Sequence, residues 1–232
     1  MPGNSRPDPA ATGSRLYTQP MTNPAPTDQP AVNEHTWRRR LLHLTASIII
    51  AGLVLGLEYR TAVYIIGSVT AAMAVTEAIR LAAPAVNERY IHWLGPFMKP
   101  RERRAPTAAT YHALGSLTVL LVFGSPIAAL AVLFMGIGDP AAGVVGTRYG
   151  RLRVRVPGRR TGAKSVEGTL AFLASSSAVV AVLWAAGVYG TLWPALAGAA
   201  VAALVEFLPI PVEDNVTVPL ASAAVMWALW PV

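Results

Sequence analysis

Seven apolar runs follow one another along this chain, at 41–57, 61–83, 107–123, 125–145, 169–189, 192–208 and 216–230. Each lies close to the about 17–25 residues that an α-helix needs to cross the hydrocarbon core of a bilayer. Any one of them, interrupted by Gly or Pro, reads equally well as a buried core helix. Seven in succession do not fit one soluble core. The composition agrees: 53% of the 232 residues are apolar and only 13% are charged, against about 25% charged in soluble domains. The fold class expected is all-α, a polytopic membrane protein with about seven transmembrane helices.

Composition also removes chemistry. There are no cysteines, which excludes disulfides, zinc thiolate sites, iron–sulfur clusters and thiol nucleophiles. Four scattered histidines argue against a histidine metal cage. A net charge of +7 is compatible with nucleic-acid binding. In a chain this apolar it fits cytoplasmic loops better, and no nucleic-acid partner is expected. Residues 1–36 are rich in Pro, Asn, Thr, Ser and Ala and lack an apolar centre. They read as a disordered tail rather than a signal peptide, which leaves 37–232 as the membrane domain.

The basic residues orient the helices. Arg38, Arg39 and Arg40 precede the first run. Arg80, Arg89, Lys99, Arg101, Arg103 and Arg104 fall between the second and third, and Arg148 to Lys164 between the fourth and fifth. The opposite connections carry a single Arg. Basic loops remain in the cytoplasm. The N-terminus and both long loops are therefore expected inside, and the C-terminus outside. Within the first loop, 84–104, the spacing of Val86, Tyr90, Ile91, Trp93 and Leu94 suits a short amphipathic helix at the interface, with a plain surface loop as the alternative.

Three clusters bring acids to the cytoplasmic ends of the helices. The first holds Gly138, Asp139, Pro140, Gly143, Gly146 and Gly150. Glycines at that spacing admit either a phosphate or a neighbouring helix. Pro140 suits a first helical turn, so Asp139 reads as an N-cap or as a cation ligand. The second cluster is Lys164, Ser165, Glu167, Gly168 and Thr169. Ser165 is a natural N-cap, and a helix start beside a lysine is suited to phosphate. A capped helix with a solvated Lys–Glu pair is the plainer reading. The third holds Glu206, Pro209, Pro211, Glu213, Asp214, Asn215 and Pro219. The two prolines end one helix, and Asp214 or Asn215 caps the next. Arg39, Arg40 and His43 on the first helix, and Glu77 with Arg80 on the second, are weaker candidates. They suit interface anchors and a local ion pair.

Taken in this order, these segments resemble the polyprenol kinase family of membrane lipid-alcohol kinases, which includes dolichol kinase, phytol kinase and the CTP-dependent diacylglycerol kinase. The resemblance runs from about Arg38 to Val232. It implies transfer of the γ-phosphoryl group of a nucleoside triphosphate, usually CTP, to the hydroxyl of a long-chain lipid alcohol at the bilayer. In that frame Asp139, Glu167 and Asp214 are the expected catalytic and Mg²⁺-binding residues. Gly138, Gly143, Gly146, Gly150, Lys164, Ser165, Gly168, Thr169 and Asn215 are expected at the nucleotide. Arg39, His43, Glu77, Arg80 and Glu206 are supporting candidates. Pro140 departs from the Thr, Ala or Ser common in the family. Phosphatidate cytidylyltransferases, which make CDP-lipids, share the first two clusters but usually carry an Asp-Arg pair near the C-terminus. This chain has Asp214-Asn215, so the kinase is preferred to that alternative. A transporter is a third reading, but the acids gather at one face rather than at the midplane, and no inverted repeat is visible.

Overall fold

The computed structural model describes residues 34–154, 164–208, 210 and 212–230, with side chains from residue 37 onward. The expected tail lies outside the described residues except for 34–36, which already belong to the first helix. Most of the second basic loop, 155–163, and both Pro209 and Pro211 also lie outside them.

Each of the seven apolar runs is a helix. In chain order these are α1 (Glu34–Gly56), α2 (Tyr59–Ala82), α4 (Ala108–Phe123), α5 (Ser125–Tyr149), α6 (Val166–Ala185), α7 (Trp193–Phe207) and α8 (Asp214–Leu229). An eighth, α3 (Pro84–Leu94), occupies the first basic loop where the amphipathic spacing was read. Trp93 on it is exposed, while Tyr90 turns inward and lies under the Arg80 guanidinium, 4.9 Å away. A two-residue antiparallel ladder, β1 (Arg153–Val154) with β2 (Lys164–Ser165), is the one departure from an all-α chain among the described residues.

Among the described residues, four helices are long and apolar enough to cross a membrane: α1, α2, α5 and α6. The others are shorter, 16 residues for α4 and α8 and 15 for α7. At 1.5 Å per residue these rise only about 23 Å. Helices of that length with an apolar surface belong to an integral membrane protein whose central element is α5. Every residue of α5 from Ile127 to Gly136 is buried. It is packed by α1, α4, α6, α7 and α8, with α2 laid against α4. The outer faces carry Ile48, Tyr64, Val75, Val182 and Trp227, all exposed. Side chains of that kind are stable facing hydrocarbon and costly facing water.

Two capping expectations are corrected. Asp139 does not cap a helix: Pro140 lies inside α5, which runs unbroken to Tyr149. A central helix packed on all sides holds its course through a proline that costs one backbone hydrogen bond. At α8 the cap position belongs to Glu213, which makes no side-chain cap bond, and Asp214 is the first helical residue. Ser165 does cap α6, its hydroxyl accepting the Gly168 N–H at 3.0 Å.

Candidate active site

The N-terminal turns of α1 and α8, the C-terminal turn of α7, the second half of α5 and the connection between α3 and α4 surround one cavity of about 1100 Å³. Its polar end is lined by Arg39, Arg40, His43, Lys99, Arg101, Asp139, Lys164, Glu206, Glu213, Asp214 and Asn215. From there it runs between α1 and α2 along Ile49, Ile50, Leu53, Ile65, Ile66 and Val69. His43 to Leu53 on α1 spans about 15 Å at the helical rise. The apolar arm is thus deep enough for a lipid chain whose head lies among the charges.

The acids at the polar end are held in different ways. Lys164 pairs with the buried Glu206, donates to its backbone carbonyl as well, and lies 3.7 Å from Asp214 Oδ2. The lysine thus joins the end of α7 to the start of α8. A buried carboxylate is tolerated only with such a partner. Arg101 pairs with Glu213 at 2.7 Å, tying the α3–α4 connection to the approach to α8. The Asn215 Oδ1 atom is buried and has no hydrogen-bond partner. In the cavity wall, His43 and His112 lie with ring centroids 4.1 Å apart. Ser47 Oγ is 3.0 Å from His112 Nε2 and donates to the His43 carbonyl at 2.9 Å.

The glycine cluster is not open to the cavity. A Cβ at Gly146 would come within 2.8 Å of Ser165 Oγ, and one at Gly168 within 2.9 Å of the Ala142 carbonyl. A Cβ at Gly143 would strike the Arg40 guanidinium. Gly143 and Gly146 lie inside α5, so their N–H groups belong to the helical ladder and offer no cradle to a phosphate. Close approach of α5 to α6 is what these residues permit. Gly138, Gly150, Ser165 and Thr169 lie outside the cavity lining too, with the Thr169 hydroxyl donating to the Ser165 carbonyl at 3.3 Å.

Glu167 is likewise displaced from its expected place. It does not line the cavity; its Oε1 accepts the backbone N–H groups of Arg151 and Leu152, at 2.9 and 3.1 Å, and fastens β1 to the start of α6. Among the described residues no three His, Asp or Glu side chains gather as a metal cage. The structure brings Asp139 and Asp214 to the cavity and leaves Glu167 outside its lining, held by the backbone amides of Arg151 and Leu152. Asp139, Asp214 and the unpartnered Asn215 oxygen remain together in the cavity. Mg²⁺ is commonly held by one or two carboxylates plus substrate phosphates, so these donors fit it.

Glu77 and Arg80 stand behind the wall rather than in it. Arg80 is fully buried; it pairs with Glu77 and donates to Asn87 and to the carbonyls of Glu102 and Ala105. Sequence reasoning passed over Lys99 and His112, both of which line the cavity. Lys99 is one of several cations in a basic loop, and His112 is a single histidine on a largely apolar helix. Neither has a local pattern to mark it.

No family model matches the chain, and no solved structure does. Curated proteins do. The chain is 26% identical over 167 residues to the CTP-dependent diacylglycerol kinase 1 of Schizosaccharomyces pombe, covering 66% of this chain and 74% of that one. It is 39% identical over 115 residues to the phytol kinase of Synechocystis, 46% and 48% of the two chains. To the dolichol kinase of Saccharomyces cerevisiae it is 38% identical over 89 residues, 38% of this chain and 16% of the relative. These relatives are lipid kinases. The resemblance to the polyprenol kinase family stands on three of its named activities, although the chain spans only about half of the phytol kinase and a smaller part of the dolichol kinase.

Proposed function

We propose that this protein is a membrane lipid-alcohol kinase that transfers the γ-phosphoryl group of CTP to the hydroxyl of a long-chain alcohol: a polyprenol, phytol, geranylgeraniol or diacylglycerol. The observation that carries the reading is the two-sided cavity, with acids and cations at one end and an apolar arm between α1 and α2 at the other. Such a shape admits a chain from the bilayer and a nucleotide from water, and brings hydroxyl and phosphate together at their boundary. The similarity to three lipid kinases supports it.

Phosphoryl transfer asks a protein mainly for positioning and for neutralised charge. The alcohol oxygen bonds to the γ-phosphorus, the bond from that phosphorus to the β–γ bridging oxygen breaks, CDP leaves with the electron pair, and the hydroxyl proton passes to a carboxylate or to water. Asp139 and Asp214, with Asn215 beside them, would hold Mg²⁺, which supplies charge neutralisation along the phosphates. Lys164 braces Asp214 and Glu206 across the α7–α8 turn. Ile49, Leu53 and Val69 hold the chain and exclude water from its side. The basic loops at this end support a reading in which the site is on the cytoplasmic side, seven helices cross and the N-terminus is inside. A tag at the C-terminus is then reachable only from outside.

γ-Labelled CTP tests the chemistry. Purified protein offered a panel of lipid alcohols should place the label on one of them and release CDP. Label leaving as pyrophosphate, with the α-label retained on a phospholipid substrate, overturns the kinase reading in favour of a CDP-lipid synthase.

A further inference from the structure

Five cations line the cavity, and two of them are matched. Lys164 has Glu206 and Asp214, and Arg101 has Glu213. Among the described residues Arg39, Arg40 and Lys99 have no carboxylate within 4.0 Å, and Arg40 Nη1 is buried with no hydrogen-bond partner. Arg39 lies near both Arg40 and Lys99, with Asp139 as a nearby counter-charge to each of those two, and cations grouped on one half-buried wall lose hydration, a cost a fold sustains when an anion completes the group. Burial first, then the nearby Arg39 and Arg101, push the Lys99 ammonium below its ordinary value, with Glu102 and Asp139 offsetting part of this.

Lys99 is also held in place with unusual care for a loop lysine. Glu102 Oε2 accepts its backbone N–H at 2.9 Å. The fully buried Arg80 anchors the Glu102 and Ala105 carbonyls, at 3.1 and 2.8 Å. Asn87 donates to the Arg103 carbonyl at 2.9 Å. The buried Glu77–Arg80 pair, which takes no part in lining the cavity, thus sets the loop that presents Lys99.

We propose that Lys99, with Arg39 and Arg40, forms a phosphate site on the α1 side of the cavity, opposite Lys164, and that it takes the terminal phosphates of the nucleotide. A planar guanidinium pair and a point ammonium together suit a polyphosphate. The alternative source of the same chemistry is the phosphate of an anionic lipid, which the apolar arm would admit. The choice of nucleotide rests on the kinase reading; the phosphate site does not.

The test reads binding rather than turnover, on the full chain in phosphatidylcholine nanodiscs. Its probes are a non-hydrolysable CTP analogue, cytidine, and phosphatidic acid. Lys99→Met should weaken the analogue about 10- to 100-fold, the range for losing one charge-assisted hydrogen bond. Cytidine should bind as before, and Lys99→Arg should recover most of the loss. If phosphatidic acid binding falls instead and the analogue is unaffected, the site stands with lipid phosphate as its occupant. Unchanged affinity for both phosphate probes overturns the proposal. So does an equal loss for analogue and cytidine that Lys99→Arg fails to restore, because that pattern reports a damaged fold. A protein that binds the analogue through Lys99 yet phosphorylates no alcohol refutes the kinase reading alone. A working kinase whose Lys99→Met variant keeps both its KM for CTP and its affinity for phosphatidic acid refutes the site alone.

Discussion

Removing Arg80 separates a structural pair from a catalytic one. Its side chain is fully buried and has four partners: Glu77 Oε2 at 2.5 Å, Asn87 Oδ1 at 3.0 Å, and the carbonyls of Glu102 and Ala105 at 3.1 and 2.8 Å. Arg80→Met keeps most of the volume and strands the Glu77 carboxylate, which is 5% exposed. Breaking one side of a buried pair costs about 3–5 kcal/mol. Thr107 N–H and the Thr110 hydroxyl, at 2.9 and 3.0 Å from Glu77 Oε1, remain and hold the cost near the lower end. On the scale of about 2–4 °C per kcal/mol for a domain of this size, Tm should fall by about 6–12 °C. Differential scanning fluorimetry in detergent measures it. Glu77→Gln together with Arg80→Met should be milder than Arg80→Met alone, since no uncompensated charge is left. Because the loop bearing Lys99 hangs on Arg80, KM for the nucleotide should rise in Arg80→Met while KM for the alcohol stays level. A Tm within about 2 °C of the parent chain, or a double variant worse than the single, would refute the reasoning.

Other outcomes follow from the same geometry. Asp139→Asn and Asp214→Asn should each lower turnover at least about 100-fold in the labelled-CTP assay while the protein still inserts into membranes. Gly138→Ala should destabilise by about 1–3 kcal/mol, because its Cβ would meet the buried Phe172 ring at 2.6–2.7 Å. Ser165→Ala, which frees the Gly168 N–H, should cost about 1 kcal/mol with KM little changed. The lowered Lys99 value gives a pH signature: the ammonium deprotonates below its ordinary 10.5, so nucleotide affinity should begin to decline at a pH under that value. Lys99→Arg should remove that decline, because a guanidinium keeps its proton throughout the range.

The helices were legible in the sequence because apolar runs and basic breaks are local quantities. A run of about 20 apolar residues becomes a helix in hydrocarbon whatever its neighbours, since no water is present to satisfy its backbone. The seven helices, the loop helix α3 and the Ser165 cap all answer to that local logic. So did the gathering of Asp139, Lys164, Glu206 and Asp214 at one end, which follows once the helices alternate in direction. Which atoms face each other was a different matter. Gly143 and Gly146 looked as ready for a phosphate as for a helix, and only the packing of α6 and the Arg40 side chain against α5 decided between them. Glu167 shares its segment with Lys164, yet the amides of Arg151 and Leu152, just before β1, hold it outside the cavity lining while Lys164 reaches across to Glu206. Lys99 carries no pattern at all and became visible only when Arg39, 60 positions earlier in the chain, arrived beside it. Secondary structure in a membrane is settled by the solvent acting on short segments, whereas a binding site is settled by pairs of charges that meet only after distant helices pack.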